Sequence, residues 1–130
     1  MRITDERMVE RVKMTDEKLK EVLEEHSKWL ITRFKSREKG CCANLSDIDL
    51  SGVDLSGVDL RYACFKNTNL RNANLRGANL KSANLEYADL IGADLSRADF
   101  RCANLGCADL SGANLGYADL GYADLEGAKF

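Results

Sequence analysis

The sequence contains no proline, a single histidine and no long apolar run. Without proline, the chain has neither a proline-rich linker nor a proline-kinked element. A catalytic Ser–His or Cys–His pair would have to use His26, and no motif frames that residue. No segment approaches the roughly 18–20 apolar residues that span a bilayer. These absences argue against a membrane protein and against the common nucleophilic enzymes.

Signals for export, disulfides and cofactors are also lacking. The N-terminus, MRITDERMVERVKM, lacks the apolar centre of a signal peptide, so we expect a cytoplasmic protein. Five cysteines without CxxC spacing indicate reduced thiols rather than a disulfide framework. Cys41, Cys42 and Cys64 lack the spacing of zinc ligands, and the glycines form no phosphate-binding loop. We therefore expect no metal, no cofactor and no catalytic site.

A strict five-residue repeat runs from residue 43 to residue 130. Leu or Phe occupies a core site at every fifth position from Leu45 to Phe130, eighteen times without a slip. Two residues earlier stands an alanine site, filled by Ala in fourteen repeats. The residue between them, the Asp/Asn site, is Asp or Asn in all repeats but two, Cys64 and Lys129. Gly recurs two residues after the core site, at what we call the corner site.

A period of five matches neither the 3.6 residues of a helix nor the 2.0 of a strand. It predicts a chain that turns at regular intervals and directs one large and one small side chain inward in each repeat. Asp and Asn suit the turns because their short side chains accept hydrogen bonds from nearby backbone N–H groups. The nine Asp residues at this site between Asp49 and Asp124 are therefore interpreted as turn residues, not as general acids or bases.

The pattern A(D/N)LXX resembles the pentapeptide-repeat family and covers 88 of the 130 residues. The resemblance implies an all-β solenoid, a right-handed quadrilateral β-helix with four pentapeptides in each coil of about twenty residues. Within a solenoid domain of residues 41–130, the 88 residues of the repeat would then make about 4.4 coils, about 21 Å tall at a strand spacing of about 4.8 Å. Such a rod has a filled interior and a convex surface. We therefore expect a non-catalytic protein-binding or scaffold module of unknown partner, not an enzyme.

The first forty residues carry a helical pattern instead. Thr15 is placed to N-cap a helix of about residues 16–35, whose first turn holds Asp16 and Glu17. Apolar residues continue at helical spacing to Phe34, and Gly40 is the expected stop. A second, shorter helix is predicted over residues 5–13, with one apolar side formed by Met8, Val9 and Val12.

We expect residues 1–40 to cover the first coil, because a solenoid end exposes unpaired strand edges and an apolar core. Three bulky residues replace Ala in that coil, which fits a wide contact with a helix. The expected contact residues are Leu19, Val22, Leu23, Trp29, Leu30, Ile48, Val53 and Val58. His26 is expected either in this contact or on the helix surface. A helix that recruits a partner is the alternative.

Charges along the repeat fall into bands, although the net charge of the chain is only −2. Residues 43–60 contain four acids and no base. The basic belt, residues 61–85, has no acid and consists of Arg61, Lys66, Arg71, Arg76 and Lys81. Positions twenty apart should stack, which aligns Arg61, Lys81 and Arg101 in one column. We interpret this column as a solvated face of mixed charge; the alternative is a stripe that binds an acidic partner. The flanking acids disfavour direct nucleic-acid binding.

The acidic band, residues 86–126, has a net charge of −6. Its candidate surface residues are Glu86, Asp89, Asp94, Asp99, Asp109, Asp119 and Asp124. Some pentapeptide-repeat proteins mimic DNA and bind DNA gyrase or topoisomerase IV, in some cases protecting against quinolones, so this resemblance supplies the alternative function. Duplex DNA carries one negative charge per about 1.7 Å, hence about six over the roughly 10 Å of this band. The charge density of the band therefore matches that of DNA.

The sequence stops at a core site of the repeat, Phe130. A solenoid end without a covering element invites stacking on a second copy. We therefore expect a homodimer through the C-terminal coils, with contacts at Leu115, Leu120, Leu125 and Phe130. This dimer would join two acidic bands.

Overall fold

The computed structural model describes residues 12–32 and 42–130. Its elements are strand β1 (Val12–Lys13), helix α1 (Asp16–Thr32) and strand β2 (Ile48–Asp49), followed by a regular series of turns and single β-bridges. The prediction of a helix over residues 5–13 is wrong for Val12–Lys13, which pair with β2; Met8 and Val9 lie outside the described residues. So do the predicted end of the main helix at residue 35, Phe34, Gly40 and Cys41.

Each repeat is built around one tight turn. In the turn at Leu50, the N–H of Val53 donates to the Leu50 carbonyl at 3.1 Å. The corner site, third in the turn, has a φ between 56° and 74° at every repeat from Asp47 to Gly127. The second residue has no positive φ, so these are type II turns, which require a positive φ at their third position.

Side chains at the Asp/Asn site brace the turns, as the sequence predicts. Oδ1 of Asp49 accepts a hydrogen bond from the N–H of Ser51 at 2.9 Å. The same bond, between 2.9 and 3.2 Å long, forms at every repeat that has Asp or Asn at this site. Each of these side chains therefore has one oxygen committed to the backbone of its own turn.

Successive coils stack with a spacing of twenty residues. Parallel bridges join residues twenty apart, from Asn44↔Cys64 to Asp109↔Lys129. At each repeat the stack makes two backbone bonds around a bridge: the N–H of Leu50 donates to the Asn69 carbonyl at 2.8 Å, and the N–H of Asn69 donates to the Ile48 carbonyl at 3.0 Å. Twenty residues hold four pentapeptides, so every face of a coil lies on the same face of the next.

The core is a ladder of the repeated large side chains. Every core-site residue from Leu45 to Leu110 is at most 2% exposed, with Phe65 and Phe100 filling two of the positions. Alanine beside this ladder leaves room for the large side chains to meet. Thr68 is the polar exception, and its hydroxyl donates to the Leu45 carbonyl at 2.6 Å. The interior is therefore a packed apolar column.

Helix α1 starts as predicted at the Thr15 cap, whose Oγ1 accepts the N–H of Lys18 at 3.2 Å. The helix lies against the first coil, with Leu19 part of the solenoid core cluster at 7% exposed. Within residues 12–32 and 42–130, no helix is long and apolar enough to cross a membrane.

Candidate interaction surfaces

Apolar side chains of α1 and of the first coil are buried or partly buried where the two elements meet. Leu19 and Leu30 are buried, and Val22 and Leu23 pack against the core cluster while partly exposed. Trp29 meets Tyr62 edge-on, with ring centroids 6.1 Å apart. On the solenoid side, the partly buried side chains that pack against the core are Ile48, Val53 and Val58.

His26 is the buried polar residue of this contact. It is 1% exposed, and its Nδ1 accepts the backbone N–H of Ala43 at 3.0 Å. Its Nε2 is buried and has no hydrogen-bond partner among the residues that the structure describes, and the ring stacks on Trp29 at a centroid distance of 5.6 Å. Burial lowers the pKa of His26, against the opposing effects of the Asp59 carboxylate and the Arg61 carbonyl. The neutral ring thus ties α1 to the start of the repeat.

The basic belt is not a free cationic surface. Three of its five bases form ion pairs, and two of these pairs join stacked coils. Arg61 pairs with Asp59 at 2.8 Å, and Lys66 pairs with Glu86 at 3.5 Å. Arg71 forms an ion pair with Asp89, and Arg76 donates to the Ser96 hydroxyl at 2.9 Å.

The acidic band divides into two groups. Glu86, Asp89, Asp99 and Asp119 each lie within 4.0 Å of a Lys or Arg nitrogen. The remaining three make polar contacts of a different kind. Asp94 and Asp109 each accept a serine hydroxyl at 2.6 Å, and these bonds lower the pKa of both carboxyls. Asp124 accepts the backbone N–H of Glu126 at 3.0 Å.

The column of Arg61, Lys81 and Arg101 lies on one face of the solenoid. Bridges connect the Asp/Asn sites that precede these residues, Asp59↔Asn79↔Asp99↔Asp119. Arg101 is held by Asp99 at 2.7 Å in its own repeat and lies 3.8 Å from Asp119 in the next coil. The column is therefore a face of alternating charge rather than a basic stripe.

All four tyrosines stand at the corner site, a feature that the sequence analysis missed. Their φ values are 67°, 60°, 59° and 58°, in a conformation that bulky side chains rarely adopt. The exposed fractions are 54% at Tyr87, 87% at Tyr117 and 96% at Tyr122. The Arg97 guanidinium lies over the Tyr117 ring, 5.0 Å from its centroid. The five-residue register could have found them, because it assigns each tyrosine to the same outward position.

Arg101, Tyr117 and Tyr122 form what we call the tyrosine face. Tyr117 and Tyr122 occupy consecutive corners of the last coil, and the face between them carries Gly121. An added Cβ at Gly121 would lie 3.5 Å from Cγ of Arg101, so Arg101 sits directly beside that glycine. An exposed arginine between two exposed tyrosines is the composition of a protein-binding hot spot.

The last coil is also the most open part of the core. Leu115, Leu120 and Leu125 are only partly buried, and Phe130 is 67% exposed. The N–H groups of these three leucines have no backbone acceptor in the described part of the chain. The equivalent N–H groups in earlier coils donate to the next coil, as Leu110 does to Lys129 at 2.7 Å.

The cysteines in the described ranges are free thiols: Cys42, Cys64, Cys102 and Cys107. In residues 12–32 and 42–130, no group of His, Cys, Asp and Glu side chains is arranged to hold a metal ion.

Comparison with known proteins identifies the repeat. The family profile described as pentapeptide repeats matches in eight copies, over residues 42–77, 78–116 and 108–130. No curated protein matches the chain.

Solved structures of similar proteins come from a plant and from cyanobacteria. A pentapeptide repeat protein from the thylakoid lumen of Arabidopsis thaliana is 42% identical over 62% of this chain and 59% of its own, with a TM-score of 0.52. Rfr23 from the cyanobacterium Cyanothece 51142 is 35% identical over 73% of this chain and 63% of its own, with a TM-score of 0.55. This chain thus spans about three fifths of the length of each.

QnrB1, a plasmid-mediated fluoroquinolone resistance protein, is 26% identical over 74% of this chain and 69% of its own. Its TM-score of 0.26 is too low to support a structural argument.

Proposed function

This chain belongs to the pentapeptide-repeat family, and we propose that it is a non-catalytic module that binds a partner protein through the surface of its solenoid. The family establishes the type of repeat, whereas the partner must be recognised by side chains at the outward positions. The core-site side chains from Leu45 to Leu110 are at most 2% exposed, so the interior of the repeat is occupied by the chain's own apolar side chains.

The tyrosine face is the observation that carries this proposal. A left-handed backbone costs a residue with a Cβ roughly 1–2 kcal/mol relative to right-handed geometry, and Gly avoids this cost. Six corner sites of this chain do use Gly. Tyr117 and Tyr122 accept the cost and still leave 87% and 96% of their surface in solvent. Tyr and Arg are enriched among residues that dominate binding energies at protein interfaces.

In this proposal, residues 1–40 form an N-terminal segment that covers the first coil. Residues 41–130 form a right-handed quadrilateral β-helix, in which the 88 residues of the repeat make about 4.4 coils. The bridges between residues twenty apart and the packing of Leu19 into the solenoid core support this division. We also propose that the protein is located in the cytoplasm.

DNA mimicry toward gyrase or topoisomerase is the second candidate function. Asp94 and Asp109 favour it, because both are negatively charged at neutral pH and neither forms an ion pair within 4.0 Å in the described part of the chain. The ion pairs of Glu86, Asp89, Asp99 and Asp119 count against it, since they offset the charge of four acids in the band. Inhibition of gyrase supercoiling at micromolar protein would support mimicry, and an unchanged supercoiling rate would exclude it.

Affinity capture from the native host tests the proposed function. The baits are the wild-type chain, the double variant Tyr117→Ser/Tyr122→Ser, and Tyr87→Ser. Tyr87 is the matched control because it has the same backbone conformation at a corner of a different coil. We expect a protein retained by the wild type and by Tyr87→Ser but lost by the double variant. Identical capture by all three baits would remove the tyrosine face as the binding surface.

A further inference from the structure

A groove of about 740 Å³ lies between α1 and the edge of the first coil. Leu19 and Leu23 of the helix line one side, and Val53 and Val58 of the coil line the other. Its volume is in the range of about 300–1,000 Å³ that is typical of ligand sites. Val53 and Val58 occupy the alanine site of their repeats, so this edge carries more apolar surface than the equivalent positions of later coils.

The neighbouring face of the same coil shows how this edge accepts an extended segment. Strand β1 pairs there in parallel, with Val12↔Ile48 and Lys13↔Asp49. The N–H of Met14 then approaches the Asp49 carbonyl at 3.5 Å, the arrangement that Leu50 makes with the Asn69 carbonyl at 2.8 Å. Val-Lys-Met therefore stands where a preceding coil would place its alanine, Asp/Asn and core sites.

The lysine of that segment is also bound. Its ammonium group donates to the Ser51 carbonyl at 3.0 Å and contacts the Ser51 hydroxyl at 3.4 Å. The edge thus holds Met14 by packing on the core, Val12 by backbone pairing and Lys13 by hydrogen bonds from its ammonium group.

The next face, at Asp54, presents the same backbone groups without a strand on them. Neither the N–H nor the carbonyl of Asp54 makes a backbone hydrogen bond within residues 12–32 and 42–130. One coil further on, the equivalent groups are both used: the N–H of Asn74 donates to Val53 at 2.8 Å, and its carbonyl accepts Leu55 at 2.7 Å. Asp54 itself is exposed. A strand laid along this face would find both bonds available.

The charges around the groove define what would bind. Asp16, Glu24 and Asp54 line it together with a single base, Lys20. The excess of acid favours a basic residue in the incoming segment, and the apolar walls favour hydrophobic residues on either side of it.

We propose that the groove binds an extended apolar–basic–apolar segment of a partner protein, which adds a parallel strand to the Val53–Asp54 edge. Backbone pairing would supply affinity, and the pocket between the leucines and valines would supply selectivity, as in other strand-addition complexes. This site is separate from the tyrosine face, so either can fail experimentally without the other.

The test uses a fluorescein-labelled RVKMT peptide, which copies residues 11–15, and full-length protein in a fluorescence anisotropy titration. We expect saturable binding that weakens at least about tenfold when the peptide methionine is N-methylated, because that change removes the N–H that would donate to the Asp54 carbonyl. No saturable binding up to about 1 mM peptide, as would follow if a second copy or another segment of the chain filled the groove, overturns the proposal. Equal affinity of the N-methylated peptide overturns strand addition.

Charge variants locate the site. Asp54→Asn keeps the turn, since Asn fills the same site in other repeats, and Glu24→Lys reverses an exposed charge on α1. Both should weaken peptide binding severalfold, whereas Asp124→Asn, an equivalent change at the far end, should leave it unchanged. If Asp49→Asn weakens binding and Asp54→Asn does not, the peptide is displacing β1 and the proposed site is wrong.

Discussion

At the scale of single residues, the corner site imposes one backbone conformation on side chains as different as Gly, Cys, Arg and Tyr. From Asp47 to Cys107 the corner N–H donates to a carbonyl of the following coil, so stacking overrides the local preference of each of these residues. The five-residue register predicted where the turns fall. It did not mark the tyrosines as unusual, because a corner occupied by Tyr and one occupied by Gly keep the same spacing.

Replacing Tyr122 with Gly should stabilise the protein. Tyr122 is 96% exposed with a φ of 58°, so the substitution relieves left-handed strain and removes little packing. We expect a gain of about 1 kcal/mol in the free energy of unfolding, measured by urea titration. The opposite substitution, Gly57→Tyr, is made where an added Cβ meets nothing within 4 Å. It should lower the free energy of unfolding by about the same amount. A loss of stability in Tyr122→Gly would mean that the ring makes a stabilising contact.

His26 should make stability depend on pH below neutrality, as the pH falls through the ordinary pKa of 6.5 toward the lower pKa of the folded state. Burial lowers its pKa below the ordinary value of 6.5, so the unfolded chain takes up a proton before the folded one does. The free energy of unfolding should therefore be highest above pH 6.5 and decrease as the pH falls toward the lower pKa of the folded state. Arg61 and Asp59 face the same ring, with opposite effects on its charge.

His26→Asn is the control for this pH dependence, because it offers an acceptor to the Ala43 N–H without titrating. Its stability should be lower overall and constant over the same interval. The lowered pKa values of Asp59, Asp94, Asp99 and Asp109 act below the ordinary carboxyl value of 3.8, where stability falls further as those groups are protonated. A parallel pH profile for wild type and His26→Asn would show that His26 is not the titrating group.

At the scale of elements, α1 and the repeat could be predicted from local sequence patterns, whereas β1 could not. Thr15 with Asp16 and Glu17 is a helix start that local hydrogen bonding and charge can specify. The strand Val12–Lys13 is too short for any periodicity, and its partner lies 36 residues away. The ion pairs escaped prediction for a related reason: bands separated along the sequence, such as those containing Lys66 and Glu86, meet across stacked coils.

Leu19→Ala tests whether α1 belongs to the cooperative unit of the solenoid. Leu19 is 7% exposed within the core cluster, so truncation should cost about 2–4 kcal/mol of unfolding free energy. Ile31 is the matched apolar control on the same helix at 66% exposed, and Ile31→Ala should change stability by less than about 0.5 kcal/mol. Equal effects of the two variants in thermal or urea unfolding would contradict a covering role for the helix.

At the scale of the whole molecule, the rod has two different ends. The first coil meets a helix and a strand. In the last coil, Leu115, Leu120 and Leu125 are partly exposed, and their N–H groups have no backbone acceptor among the described residues. The repeat pattern specified the rod between them. It could not specify which surfaces are used, because outward residues are free of the constraint that keeps the core sites in register.

We expect a homodimer through the C-terminal coils at high concentration. Light scattering should then give a mass of twice 14.4 kDa, and Phe130→Ser should shift the population toward the monomer, since Phe130 is 67% exposed beside these leucines. A mass of 14.4 kDa for the wild type at millimolar protein would contradict the dimer.

The affinity of the captured partner for the tyrosine-face variant is the measurement that tests protein binding most directly. Titration calorimetry of the purified partner would compare the wild type, Tyr117→Ser/Tyr122→Ser and Tyr87→Ser. We predict that the double variant raises the Kd by at least about thirtyfold, corresponding to about 2 kcal/mol at a hot spot, while Tyr87→Ser stays within about threefold of wild type. Equal dissociation constants for all three proteins would contradict the account.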